Sequence, residues 1–177
     1  MRSADHGDTW APVSGLGEYD WHVLERSRGT VAGAPAEQAQ LFASTDGGTT
    51  FRPAGVAPAP PDDVAIDPAD PRRWVAATPD GLATSADGGA TWRPREPVPG
   101  ALLAWPEPDA LYRVDPGGAA WVSGDGGRSW EERGNAGGTP STLDAGAKDA
   151  LYLALPGAVV KRSTDGARTW EEVVTLD

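Results

Sequence analysis

The sequence predicts an all-β chain built from repeated four-stranded sheets. An eight-residue pattern, Ser-x-Asp-x-Gly-x-Thr/Ser-Trp/Phe, recurs five times, as SADHGDTW (3–10), STDGGTTF (44–51), SADGGATW (85–92), SGDGGRSW (123–130) and STDGARTW (163–170). The aspartates of successive copies stand 41, 41, 38 and 40 residues apart. Between the copies, short β-branched or aromatic runs alternate with Gly, Pro and Asp clusters, as strands and turns do. A period of this length holds four short strands and their turns, which is one propeller blade.

The blades fall approximately at 17–56, 57–97, 98–136 and 137–177, after a partial blade at 1–16. In the second unit, 64–66 is predicted as the inner strand, followed by the turn DPADP (67–71) and strands at 74–78, 82–84 and 92–94. The third unit gives 101–105, 111–114, 120–122 and 130–133, and the fourth gives 141–143, 151–155, 158–162 and 170–176. The first unit scans alike, with its inner strand in YDWHVLE (19–25). Middle strands such as ALYLAL (150–155) are apolar on both faces, the pattern of a sheet sandwiched between other sheets. No stretch carries sustained helical periodicity, and no linker divides the chain.

Composition narrows the function classes. The chain has 177 residues, 39% hydrophobic, and Asp+Glu 26 against Lys+Arg 15 leaves a net charge of −11. Such a surface repels phosphate backbones and anionic lipid, so nucleic acid is excluded as a partner class. No apolar stretch approaches the roughly 20 residues of a membrane-spanning helix, and no membrane insertion is expected. The N-terminus lacks the apolar core of a signal peptide. With Cys 0, disulfides, thiolate metal sites and cysteine nucleophiles are all absent.

The octapeptide reads as a self-locking turn between the third and fourth strands of a blade. Asp5, Asp46, Asp87, Asp125 and Asp165 would accept hydrogen bonds from turn N–H groups, and the Thr or Ser hydroxyl would add a local bond. Gly7, Gly48, Gly89 and Gly127 permit a positive φ, while the last copy has Ala167 there, with Gly166 one position early, which predicts a strained or remodelled turn. The closing aromatics Trp10, Phe51, Trp92, Trp130 and Trp170 would bury their rings against the adjoining sheet. One carboxylate per turn falls short of the six to eight oxygens of a calcium site, so neither a metal nor a cofactor is predicted.

This repeat resembles the Asp-box of the BNR repeat, found in sialidases, sortilin-type receptors and photosystem II assembly factor-like proteins. YDWHVLE (19–25), DVAIDPAD (63–70) and LLAW (102–105) further resemble bacterial BNR proteins, usually secreted, that are named glycosyl hydrolases by similarity. The resemblance implies a β-propeller and an extracytoplasmic full-length parent. It also implies what sialidase chemistry would require: three arginines clamping a carboxylate, an acidic acid/base residue, and a tyrosine activated by a glutamate. The family's Arg-Ile-Pro motif near the chain start is absent. Arg26 and Arg28 follow the first inner strand, Arg72 and Arg73 sit in a connection, and Arg113 is on a second strand, so no inner strand is expected to carry an arginine. Of the tyrosines Tyr19, Tyr112 and Tyr152, Tyr19 with Glu18 or Glu25 could form a nucleophile and base pair or be surface or packing residues.

A glycosidase needs only two suitably spaced carboxyls, and Asp20, Glu25, Asp62, Asp63, Glu107, Asp109 and Asp144 lie near inner blade ends. Asp67 and Asp70 are turn formers. Asp20 and His22, two apart, would share one side of the inner strand at the channel or its rim, where His22 is either a site residue or a buried histidine bonded to a carbonyl. His6, inside a turn, is expected in solvent. Trp21 and Trp105, on inner strands, would form a sugar-stacking platform or ordinary packing.

The chain starts within a blade, so five outer strands accompany four inner sets. This predicts an incomplete ring, a truncated product lacking leading blades and export signal, with strand edges and blade faces open to self-association. The function expected is a non-catalytic module or scaffold binding a carbohydrate or a protein or peptide. The alternatives are an exo-acting, sialidase-like glycoside hydrolase using channel carboxylates, and an inactive fragment.

Overall fold

A computed structural model describes residues 1, 3–14, 19–146 and 150–175. These contain no helix and sixteen strands, arranged as four antiparallel four-stranded sheets in a β-propeller fold. The first sheet is β1 (Trp21–Ser27), β2 (Thr30–Pro35), β3 (Gln40–Ser44) and β4 (Arg52–Val56). The second is β5 (Asp63–Ile66), β6 (Trp74–Thr78), β7 (Gly81–Ser85) and β8 (Arg93–Pro94). The third is β9 (Leu102–Glu107), β10 (Ala110–Val114), β11 (Ala119–Ser123) and β12 (Glu131–Asn135), and the fourth is β13 (Thr142–Ala145), β14 (Leu151–Leu155), β15 (Val159–Ser163) and β16 (Glu171–Thr175). Each sheet is a meander in which every strand pairs with the one before it in sequence. The inner strands stand side by side, β1 next to β5, β5 next to β9 and β9 next to β13, around a central channel.

Two boundaries differ from expectation in ways that matter. The strand β1 continues to Ser27, so Arg26 lies on an inner strand. Four of the outer strands begin one residue after the closing aromatic, not on it; in three of them the ring, Trp92, Trp130 or Trp170, leaves the sheet line to pack between blades.

All five octapeptide turns carry the same bonds. Each serine hydroxyl donates to the aspartate Oδ1 at 2.7–2.9 Å and accepts the N–H four residues on. The aspartate Oδ1 accepts the N–H of the Thr or Ser four residues later, and Oδ2 accepts its hydroxyl at 2.5–2.7 Å. These bonds, the threonine hydroxyl first, hold Asp5, Asp46, Asp87 and Asp165 well below the usual carboxylate range. Asp125 is lowered too, although partial burial opposes the bonds from Ser129 and Ser123. The last turn is not remodelled: Ala167 takes φ 66° where Gly48, Gly89 and Gly127 take 83–86°, and its N–H keeps the bond to Ser163. A left-handed alanine costs about 1 kcal/mol, and its fully buried methyl packs into the core between the third and fourth sheets.

Three buried clusters cement the blades. Val23, Leu41, Val64, Ile66 and Trp74 join the first two sheets, with Trp92 against them. Val75, Leu82, Leu103, Trp105 and Leu111 join the second and third, with Trp130. Tyr112, Val114, Leu143, Leu151 and Leu153 join the third and fourth, with Trp170. Trp92, Trp130 and Trp170 thus pack between neighbouring sheets. Phe51 instead stacks on Trp21 of its own sheet, at 4.8 Å between ring centroids, and Trp10 is 59% exposed. The apolar pattern of the middle strands holds in β6, where all five residues are buried. It fails in β14, where Tyr152 is 38% exposed because no described sheet covers that face.

Glycine sets how closely the sheets approach. A Cβ on Gly55 of β4 would lie 2.1 Å from the carbonyl oxygen of Gly89 in the next sheet's turn, and one on Gly134 of β12 would lie 2.4 Å from that of Arg168. Ser14 occupies the same place in the repeat, four residues after its closing aromatic, and donates its hydroxyl to the Gly48 carbonyl at 2.6 Å. The segment after Trp10 thus sits against the first sheet's turn as β4 sits against the second's.

Because the clash is with backbone, Gly55→Ala or Gly134→Ala is expected to destabilise by about 3 kcal/mol in urea melts. Gly117→Ala, where no atom lies within 4 Å, serves as the control. Equal losses at Gly55 and Gly117 would contradict this packing.

Candidate functional site

The inner strands meet around a cavity of about 890 Å³ lined by residues of β1, β5, β9 and β13. Its acids are Glu25, Asp62, Asp63, Glu107 and Asp144, and its cations are Arg26 and Arg28, with His22 at the wall. The inner strand of each blade, with Arg28 just after β1 and Asp62 just before β5, delivers these groups, so carboxylates far apart in sequence face one space.

The cavity acids are electrostatically coupled, with Glu25 and Asp63 half-buried and Asp62 and Asp144 exposed. Desolvation first, then the charges of Asp63 and Asp144, pushes the Glu25 carboxyl up to about 8. Burial raises Asp63 to about 6, against hydrogen bonds from backbone and with Asp62 and Asp144 adding repulsion. Asp63 bridges two blades: its Oδ1 accepts the Val64 N–H and its Oδ2 the Leu103 N–H of β9, both at 2.8 Å. Asp144 accepts the N–H of Ala145 at 2.8 Å. Burial also raises Asp62, which the His22 charge opposes. The cavity is therefore a place where negative charge is crowded, and where an arriving cation would relieve it.

The remaining predicted site residues disperse. A register shift between Trp21 and Val23 leaves His22 without a partner on β2. This bulge breaks the two-residue alternation on which a shared side for Asp20 and His22 depended. His22 lines the cavity; Asp20 is exposed, is not among the lining residues, and uses its carbonyl to accept the Ala36 N–H. Trp21 packs with Tyr19, Phe42 and Phe51 on the flank of the first sheet, its ring over Gly33. Trp105 lines the cavity wall but is 6% exposed, with the Arg73 guanidinium 5.5 Å from its ring. The two tryptophans thus form no joint platform. Tyr19 belongs to the aromatic flank while Glu25 faces the cavity, so that pair is not assembled; Glu18 lies outside the described residues. Asp109 is exposed, and Asp67 is a buried turn former whose carboxylate takes the Ala69 N–H and Arg73. The coupling of Glu25 to Asp63 and Asp144 was hidden from sequence reading, although each stands on or beside the inner strand of its own unit.

Neither a protein-family model nor a curated protein matches the sequence. Solved structures do resemble the fold. YCF48 from Cyanidioschyzon merolae superposes with a TM-score of 0.66 at 16% identity, over 89% of this chain and 56% of that one. An ancestral GH74 enzyme gives a TM-score of 0.69 at 17% identity, over 90% of this chain and 24% of that one. A structure of YCF48 bound to D1 peptide gives 0.63 at 18%, over 87% and 54%. The chain thus spans about half of YCF48 and a quarter of the GH74 enzyme, and likeness at these identities establishes the β-propeller fold.

The carboxyls set two acid–base limits on stability. A raised folded-state pKa means that Glu25 and Asp63 contribute fully below their unfolded values of 4.5 and 3.8 and lose that contribution as pH rises toward about 8 and about 6. The lowered turn aspartates contribute above 3.8 and lose their contribution as pH falls below it. The melting temperature should therefore peak near pH 4 to 5, fall to pH 8, and fall again on acidification. Glu25→Gln should remove most of the alkaline limb and leave the acid limb intact. A wild-type profile flat between pH 5 and 8 would refute the coupling.

Proposed function

We propose that this chain is a non-catalytic propeller module that receives a segment of a protein or peptide at the channel, through basic side chains of that segment. The observation that carries this reading is how the channel acids are engaged. Asp63 spends both oxygens on backbone N–H groups, one of them in the adjacent blade, and Asp144 accepts a backbone N–H beside it. A carboxylate that ties two blades together, as Asp63 does, is poorly placed to move protons or attack a substrate, yet the clustered charge of the channel acids favours a cation. The two channel arginines, Arg26 and Arg28, sit at one end of β1 and do not converge from separate blades as a carboxylate clamp would require. The peptide-bound YCF48 structure supports a propeller of this kind as a peptide receptor.

A second reading, an exo-acting glycoside hydrolase, draws on one feature. Glu25, with its carboxyl pushed up to about 8, keeps its proton at neutral pH, as a general acid must. Its neighbour Asp63 would have to leave its backbone partners to serve as the base or nucleophile.

The two readings separate in one experiment. The chain is presented with a fluorescent tetralysine peptide and, in parallel, with a panel of aryl glycosides that includes a sialoside. Saturable peptide binding, weakened about tenfold by Asp62→Asn with Asp144→Asn, and no turnover of the panel is the expected result; one tenfold step corresponds to about 1.4 kcal/mol. Turnover abolished by Glu25→Gln would replace the module with the enzyme.

A further inference from the structure

Arginines in this acidic chain are not spread evenly. Five of the thirteen, Arg72, Arg73, Arg93, Arg95 and Arg128, line one groove of about 400 Å³ between the second and third sheets. Only two acids, Asp70 and Asp87, share that lining. Asp70 is paired with Arg72, and Asp87 is held by its turn through Ser85 and Thr91. The Arg93 and Arg128 side chains make no hydrogen bond or ion pair among the described residues, and Arg95 bonds only the Thr84 hydroxyl, at 3.0 Å. Three guanidinium groups are therefore left to the groove.

Arg73 gives the site a fixed point. Its Nη1 donates to the buried Asp67 at 2.7 Å, its Nη2 donates to the Asp125 carbonyl at 3.3 Å, and its carbon lies over the Trp105 ring. Trp105 lines this groove as well as the channel, is 6% exposed, and has a buried indole N–H with no partner. Guanidinium donors beside two carboxylates that are already engaged, with a tryptophan beneath them, suit an oxyanion.

We infer that this groove binds the carboxylates of a short acidic peptide segment. Planar guanidinium forks match carboxylates bidentately, as Arg72 already does with Asp70 through Nε and Nη2. The net charge of −11 restricts the ligand's length: away from the groove, a long polyanion would meet a surface of its own sign. The groove is separate from the channel mouth and stands whether or not the channel takes a basic segment.

The test uses fluorescein-labelled tetraglutamate read by anisotropy at low salt, with quenching of tryptophan emission as a second signal. Arg93→Glu and Arg128→Glu are each expected to weaken binding about tenfold and to leave the melting temperature unchanged, since both side chains are exposed and unpaired. Arg52→Glu, an exposed arginine outside every described cavity, is expected to change affinity less than twofold. Equal weakening by Arg52→Glu would reduce the effect to net charge and overturn the site, as would an absence of saturable binding. Tighter capture of a heparin tetrasaccharide or of inorganic phosphate through Arg93 and Arg128 would overturn the peptide assignment. Tetralysine binding at the channel should survive both substitutions, so loss of one site is read independently of the other.

Discussion

A carboxylate bracketed by one side-chain hydroxyl before it and one after it is the interaction on which the molecule rests. In each octapeptide the aspartate takes the serine O–H two residues back, then the N–H and O–H of the Thr or Ser four residues ahead. The chain between is forced through two consecutive left-handed residues, such as Gly88 at 73° and Gly89 at 86°. That reversal launches the closing aromatic out of its own sheet and into the gap beside the preceding one, which is where Trp92, Trp130 and Trp170 pack. Local hydrogen bonding is thereby converted into blade-to-blade geometry. An exposed ion pair would add little here, whereas a bracket of neutral donors around one charge keeps its strength without depending on a second charged side chain.

The sheets need this registration because their middle strands are apolar on both faces and have no polar side to turn outward. Buried β6, with Trp74 at 1% exposure, is stable only while a sheet lies on either side of it. Contact is then tuned by what stands four residues after each closing aromatic. Gly55 and Gly134 allow backbone-to-backbone approach, Ser14 donates a hydrogen bond, and the second sheet has Glu96, whose carboxylate reaches across to the buried Arg113 at 2.7 Å. Arg113 also pairs with Asp115 and lies 4.7 Å from the ring centroid of Trp130, so the third blade's closing aromatic is held partly by a cation. At this seam the repeat departs from pure packing, and the arginine groove opens beside it.

Much of this was legible from the residues. The turn spacing predicted four-stranded blades, and the strand pattern placed β6 at its observed bounds. The aspartate and threonine roles followed from hydrogen-bonding chemistry. The leading serine's double role did not, because Ser fits so many turn positions that its partner is fixed only by the backbone path. The site was less readable. A bulge at Trp21–Val23 inverts side-chain direction without leaving a mark in the sequence, and it separates Asp20 from His22. Trp21 looked like a channel residue because it begins an inner strand, yet Gly33 leaves a gap opposite that only a ring fills. Arg72, Arg73, Arg93, Arg95 and Arg128 come from three separate connections and strands, so nothing local announces that they share a wall.

Charge in this protein is sorted by place, and the sorting follows from the fold. Inner strands crowd acids from different blades into one cavity, where desolvation and mutual repulsion keep Glu25 protonated at neutral pH. The turn aspartates do the opposite: they sit in solvent, remain ionised, and are used up by hydroxyl and amide donors. A formal charge of −11 therefore overstates the negative field at the channel, while the turn aspartates keep their charge but have few lone pairs free for nearby arginines. Asp87 illustrates the consequence. It lines the arginine groove, yet its lone pairs are already committed to Ser85, Thr91 and the Thr91 N–H, and it has little left to offer a guanidinium. An anion arriving from outside meets Arg93, Arg95 and Arg128, which the groove's own carboxylates do not engage.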